Sequence, residues 1–122
     1  MIRFGDSSTR SKGKAGEDSA VQFLRQQGYE ILEQNYYYQH GEIDIIAREG
    51  SILVFVEVKS RRSRRFGEPE ESVTPKKQEL LRRTAEGYVT ERYPNGIECR
   101  FDVVSVVMND GKTDCKVLRD CF

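Results

Sequence analysis

Four side chains in this 122-residue sequence have the types and spacing to act on a phosphate ester: Glu17, Asp44, Glu57 and Lys59. Asp44 and Glu57 interrupt the two most apolar segments of the chain, IDIIA and ILVFVEVK, where a fold by itself has no use for charge. Both segments read as strands, on which side chains alternate, so Glu42 and Asp44 share one face of the first and Glu57 and Lys59 one face of the second. Glu49-Gly50-Ser51 joins them as a hairpin. A tip at Gly50-Ser51 sets Asp44 opposite Glu57, and a tip at Glu49-Gly50 sets Glu42 there instead. Either register opposes two acids at a Cβ separation of roughly 4.5–5.5 Å, which destabilises a sheet, and burial adds a desolvation cost. A divalent cation would remove both penalties. Hard oxygen ligands suit Mg²⁺ or Mn²⁺, which keep positions open for water and phosphate oxygens. Lys59 is placed to orient a water or to stabilise charge growing on a phosphate, and Glu17 to hold a further water. The competing reading makes Glu57 and Lys59 a solvated strand end and Glu17 an amphipathic boundary. Four converging charges favour the site.

The elements that must position these residues follow from periodicity. Glu17, Ala20, Val21 and Leu24 recur at helical spacing over residues 15–27, with Gly28 placed to end the helix in a left-handed conformation. Residues 29–38 read as a tyrosine-rich strand region, in which Tyr36, Tyr37 and Tyr38 are packing or interface residues, or platforms for stacked bases. A second helix starts with Thr74 as N-cap and Pro75 at its first position, carries Leu80, Leu81, Thr84, Ala85 and Tyr88 as its apolar stripe, and stops before Tyr93-Pro94-Asn95-Gly96. Residues 100–108 form a further strand, which Asn109-Asp110-Gly111 turns into a last short one around Cys115 to Leu118. The central strand, ILVFV, is apolar on both faces and so requires a layer on each side. The expected fold is α/β, a mixed sheet of about four to five strands flanked by helices, preceded by a flexible lead over residues 1–13 and forming one domain over residues 14–122.

Asp44 followed thirteen residues later by Glu57-Val58-Lys59 resembles the PD-(D/E)xK signature of restriction-endonuclease-like nucleases, with Ile43 in place of the proline. The stretches GEDSAVQFLRQQGYEIL, GEIDIIA, LVFVEVKSR, FGEPEESVTPKKQELL and RFDVVSVV are similar, in order and spacing, to the YraN family of small bacterial proteins, over residues 14 to 108. That family resembles archaeal Holliday junction resolvases in fold. The resemblance implies a three-layer restriction-endonuclease-like fold and puts Glu17, Asp44, Glu57 and Lys59 at the positions of the active-site acids and lysine, with Asp44 and Glu57 as metal ligands.

Lys plus Arg equal Asp plus Glu at 20 each, so no global charge draws the chain to polyanions or membranes. The total conceals a local patch. KSRRSRR, residues 59–65, holds five cations in seven positions, and from Lys59 to Arg83 nine basic residues face four acidic ones. Such a run is often only a solvated loop, but beside an acid cluster it reads as a phosphate-binding surface made of Arg61, Arg62, Arg64 and Arg65. Lys76 and Lys77 stand in the first turn of the second helix, where the helix dipole disfavours cations. An anionic ligand at that N-terminus would account for them, as would lysine stems packed on the core with their heads in water. FGEP, residues 66–69, reads as a turn into this helix.

Three cysteines without a CxxC pair and a single histidine, His40, support neither a disulfide framework nor a zinc site. The longest apolar run, Ile52 to Val56, is far below the roughly 18 residues of a membrane span. The first twenty residues lack the apolar stretch of a signal peptide, so cytoplasm is the expected compartment. The expected function is nucleic-acid binding with Mg²⁺- or Mn²⁺-dependent hydrolysis of phosphodiesters in structured or single-stranded DNA, DNA ahead of RNA. The alternative is a non-catalytic nucleic-acid-binding module that delivers a protein partner. A third reading is a protein-interaction domain using the tyrosine-rich edge. Symmetric cutting of a junction would call for a homodimer.

Overall fold

The computed structural model describes residues 6–62 and 73–122, with side chains from residue 14 onward. Its elements run α1 (Asp6–Gln26), β1 (Glu30–Tyr38), β2 (Gly41–Glu49), β3 (Ile52–Arg61), α2 (Pro75–Arg92), β4 (Cys99–Asn109) and β5 (Lys112–Leu118). The strands form one sheet in sequence order. β3 and β4 pair in parallel and the other neighbours antiparallel. The parallel pair needs a crossover, and α2 lies on it.

β3 is central, and Leu53, Val54, Phe55 and Val56 are all buried. Their alternation feeds two cores. Val54 and Val56 pack with Ile45, Ala47, Val104 and Val106 against Ala20, Val21 and Leu24 of α1. Leu53 and Phe55 pack with Ile46 and Val103 against Leu81, Ala85 and Tyr88 of α2. The doubly apolar central strand thus has the cover on both faces that it required, and the α/β, three-layer arrangement is consistent with the restriction-endonuclease-like fold that the resemblance implied.

Local chemistry sets the ends of the elements. Gly28, at φ +95, closes α1: the Tyr29 N–H donates to the Leu24 carbonyl at 2.9 Å and the Gly28 N–H to Arg25 at 3.1 Å, a Schellman pair. α1 reaches back to Asp6, beyond the apolar periodicity that begins near Ala15. Those first turns are polar, and once a helix is nucleated each added residue contributes a hydrogen bond without needing an apolar face. Thr74 caps α2, its Oγ1 accepting from the Lys77 N–H at 3.2 Å, with Pro75 at the first position. In the β4–β5 loop both Asp110 and Gly111 have positive φ, the type I′ pattern of a two-residue hairpin.

The hairpin between β2 and β3 takes the Gly50-Ser51 register, with Glu49 paired to Ile52 and Ile45 to Val56. Gly50 alone of the two tip residues has positive φ, the requirement of a type II′ turn. At the end of the sheet nearest this tip lies a polar network that periodicity does not reveal. Fully buried Asp102 accepts from the Tyr29 hydroxyl at 2.8 Å, from Arg100 Nε and Nη2 at 2.9 Å, and from the Asp120 N–H at 2.9 Å. Arg100 continues to Glu49 at 2.6 Å, which also pairs with Arg119 at 3.2 Å. The network ties β4 to the hairpin tip, the α1–β1 turn and the C-terminal residues. Desolvation and the Asp102 carboxylate push the Tyr29 phenol up to about 12.

Candidate metal and phosphate site

The site forms at the other end of the hairpin, where β2 leaves β3. Their ladder stops at Ile45 and Val56, one pair short of Asp44 opposite Glu57. Beyond that point the Val58 N–H has no strand acceptor, and the Asp44 carboxylate takes its place, Oδ2 accepting at 2.8 Å. The cause lies in β2 itself. Ile43 packs on the α2 side and Ile45 on the α1 side, two residues apart, which straight alternation forbids. Asp44 occupies the switch. On β1, Gln34 pairs with Ile45 and Tyr36 with Ile43, leaving Asn35 unpaired beside Asp44 with φ +54. Asn is among the residues that tolerate this left-handed conformation best.

The remaining acids approach Asp44 from opposite faces of the sheet. Glu57, on the α2 side and only 6% exposed, lies near enough for its charge to act on Asp44. Glu17 comes from α1, which packs closely on β3: a Cβ on Gly16 would stand 1.8 Å from Ser60 Oγ. Burial first, then the Glu57 charge, with smaller contributions from Glu17 and Glu42, raise the Asp44 carboxyl to about 7 against the pull of the Val58 N–H. Glu17 is also raised, chiefly by burial, with the Glu42 and Asp18 carboxylates adding to it and an Asn35 side-chain hydrogen bond opposing.

Lys59 stands two residues beyond Glu57 on the same face, its Nζ 3.5 Å from Glu57 Oε2. Lys77 arrives from α2 and places its Nζ 3.6 Å from the same oxygen. The lysine that the helix dipole makes anomalous thus has a carboxylate partner; its signals in the sequence were that position in the first turn and its place on the side of Leu80, Leu81, Thr84, Ala85 and Tyr88. Beside Lys59, in register on β4, lies Ser105, whose buried hydroxyl has no partner among the described residues.

Among the described residues no three or more His, Cys, Asp and Glu side chains gather closely enough to hold a metal ion. The donor set is a pair, Asp44 and Glu57. Two carboxylates at a fork fit Mg²⁺ or Mn²⁺, which complete their shells with water and phosphate oxygens, and fit neither a closed zinc site nor a calcium cage. Desolvation and the Glu57 charge disfavour a bare charge on Asp44, which raises its affinity for a proton.

The cationic surface is partly in view. Arg61 ends β3 and Arg62 follows it, exposed, while Arg64, Arg65 and the FGEP turn lie outside the described residues. Lys76 is exposed and lines, with Thr74, Lys77, Glu79, Leu80 and Arg83, an open groove of about 460 Å³. The three tyrosines separate in role: Tyr36 packs edge-on against Tyr88 at 5.1 Å, Tyr38 lies over Gly87, and Tyr37 is 68% exposed. Tyr37 borders a second pocket of about 550 Å³ on the α1 side with Glu17, Asn35 and Glu42.

The model of the uncharacterised protein family UPF0102 matches residues 16–106, a span that contains every acid and lysine of this site. The chain belongs to the UPF0102 family. UPF0102 proteins of Caldicellulosiruptor saccharolyticus and Symbiobacterium thermophilum are 51% and 45% identical to it, each over 93% of this chain and 98% of the relative. A UPF0102 protein of Syntrophomonas wolfei is 43% identical with the same coverage. This is the family of the YraN resemblance, and the UPF0102 span starts at Gly16, where α1 closes on β3. No helix among the described residues is long and apolar enough to cross a membrane.

Proposed function

We propose that this UPF0102 protein is a nucleic-acid-binding, Mg²⁺- or Mn²⁺-dependent endonuclease of the PD-(D/E)xK type, similar to junction resolvases and acting in the cytoplasm on structured or single-stranded DNA. The observation that carries the reading is Asp44: a half-buried, largely desolvated carboxylate at the fork of two strands, beside buried Glu57, which has Lys59 two residues further along its own face. Neither core needs those charges. Asp44 and Glu57 would hold the cation, which when bound supplies positive charge to the phosphate and acidifies a water. Lys59 would orient the attacking water and offset charge on the phosphate oxygens. Glu17, with its raised proton affinity, is suited to take the proton that the water releases. The water oxygen bonds to phosphorus, the bond to the leaving strand's oxygen breaks, and that oxygen is protonated from solvent. Arg61, Arg62, Arg64, Arg65 and Lys76 would hold the flanking phosphates.

A second reading, a binding module without catalysis that acts with a protein partner, has one observation in its favour: Lys59 and Lys77 already neutralise Glu57 without a metal. The test separates the two. Labelled single-stranded, duplex, flap, four-way-junction and RNA substrates are incubated with Mg²⁺ or Mn²⁺ and either wild type or the Glu57→Ala, Lys59→Ala variant. Metal-dependent cutting that the variant loses establishes the nuclease. Metal-independent binding without cutting by either protein establishes the module.

A further inference from the structure

Glu57 carries two ammonium groups on one oxygen, and they come from different elements. Lys59 is fixed on the same strand, two residues away. Lys77 reaches over from α2, where its backbone N–H is held by the N-cap Thr74 and its side chain is 42% exposed. Its place is unfavourable for a cation on local grounds, because the positive end of the helix dipole lies there. What offsets this is Glu57, whose side chain is 7% exposed and would otherwise be a buried charge with one partner fewer.

We propose that Lys77 is a displaceable counter-ion: it occupies Glu57 until a divalent cation takes that carboxylate, and then turns to a phosphate of the bound strand, so that cation and polyanion bind cooperatively. This rests on the function proposed above and adds to it how the site is regulated. A dication held by Glu57 would share that carboxylate with two ammonium groups, at 3.5 and 3.6 Å from its Oε2, and the like charges would repel. Lys59, 25% exposed on the central strand, has little room to leave. Lys77 does have room. It lines the open groove with Thr74, Lys76, Leu80 and Arg83, and the acid in that groove, Glu79, is already paired to Arg83 at 3.2 Å. Displacement therefore adds an ammonium to a groove whose acid is occupied, at the positive end of the α2 dipole. By linkage, a polyanion that draws Lys77 away must raise the affinity for the cation by the same factor.

Mn²⁺ affinity is measured by calorimetry for wild type, Lys77→Met and, as a control, Lys76→Met. Binding of a fluorescein-labelled oligonucleotide is followed by anisotropy with and without Mn²⁺, with probe integrity checked on a gel. With the lysine end of the pair screened by solvent, removing the competitor raises Mn²⁺ affinity about fivefold in Lys77→Met and leaves Lys76→Met at the wild-type value. Mn²⁺ tightens oligonucleotide binding by wild type, and Lys77→Met loses the part of that gain that the freed ammonium supplies. If Lys77→Met binds Mn²⁺ no tighter than wild type, the counter-ion role is overturned while the metal site stands. If its oligonucleotide binding still gains from Mn²⁺ as wild type does, the coupling is overturned. Absence of Mn²⁺ binding in all three proteins overturns both this proposal and the metal-dependent function.

Discussion

Replacing Asp44 with asparagine should make the metal-free protein more stable at neutral pH, the reverse of what removal of a paired charge does. A carboxyl raised from 3.8 to about 7 is held more tightly by its proton in the folded chain than in the unfolded one. Between those values the unfolded state has lost the proton and the folded state still keeps it, so unfolding releases a proton and stability falls as pH rises. At about 1.4 kcal/mol per pH unit, the loss from Asp44 is about 4 kcal/mol by pH 8 and levels off above the folded value. The amide of the Asp44→Asn variant keeps an oxygen for the Val58 N–H but gives up the charge assistance of that bond, at a cost of about 1 kcal/mol. Urea unfolding with a chelator present should therefore find Asp44→Asn about 3 kcal/mol more stable than wild type at pH 8, and within about 1 kcal/mol of it at pH 4. With Mn²⁺ the order changes. A cation competes with the proton for Asp44, so wild type gains thermal stability with rising Mn²⁺, more at pH 8 than at pH 6, and the variant gains little. A variant less stable than wild type at pH 8, or a difference that ignores pH, would refute the account of Asp44 as a strained carboxylate awaiting a cation.

Asp44→Ala or Lys59→Ala should abolish metal-dependent cleavage while leaving the far-UV circular dichroism spectrum intact; unchanged turnover by either purified variant sinks the nuclease assignment. Asp102→Ala leaves Arg100 and the Tyr29 hydroxyl without their buried acceptor, and should cost about 3–5 kcal/mol in chemical denaturation with no specific effect on binding. Arg62→Ala should weaken DNA binding uniformly across sequences and reduce the salt slope by about 0.9 on duplex, read from affinities over a salt series. Gly28→Ala must place a side chain at φ +95, and should cost about 1–2 kcal/mol of thermal stability with the site's metal response unchanged.

Much of the architecture was legible because it rests on short-range rules. The ILVFV run, apolar on successive positions, demanded cover on both faces, and α1 and α2 supply it. Gly28, Thr74-Pro75 and Asp110-Gly111 each named an element boundary through a backbone preference. The start of α1 was not legible, since its first turns carry no apolar period. The site was legible in its parts and not in its assembly. Two hairpin registers were open, and two residues at the tip decided between them. Alternation alone would put Asp44 squarely opposite Glu57 in a continuing ladder. Instead the change of face between Ile43 and Ile45 ends the ladder and turns the carboxylate onto the Val58 N–H.

The sequence by itself determined which residues carry charge where a core wants none, and which segments are strands and helices, because those properties follow from side-chain type and from periods of 2 and 3.6 residues. Only the tertiary structure decided that Lys77, eighteen residues and a crossover away from Lys59, shares Glu57 with it. The same holds for Asp102, which anchors Tyr29 and Asp120 from opposite ends of the chain. Contacts of that kind depend on how two layers meet across a sheet, and no local rule of chain chemistry encodes the distance between them.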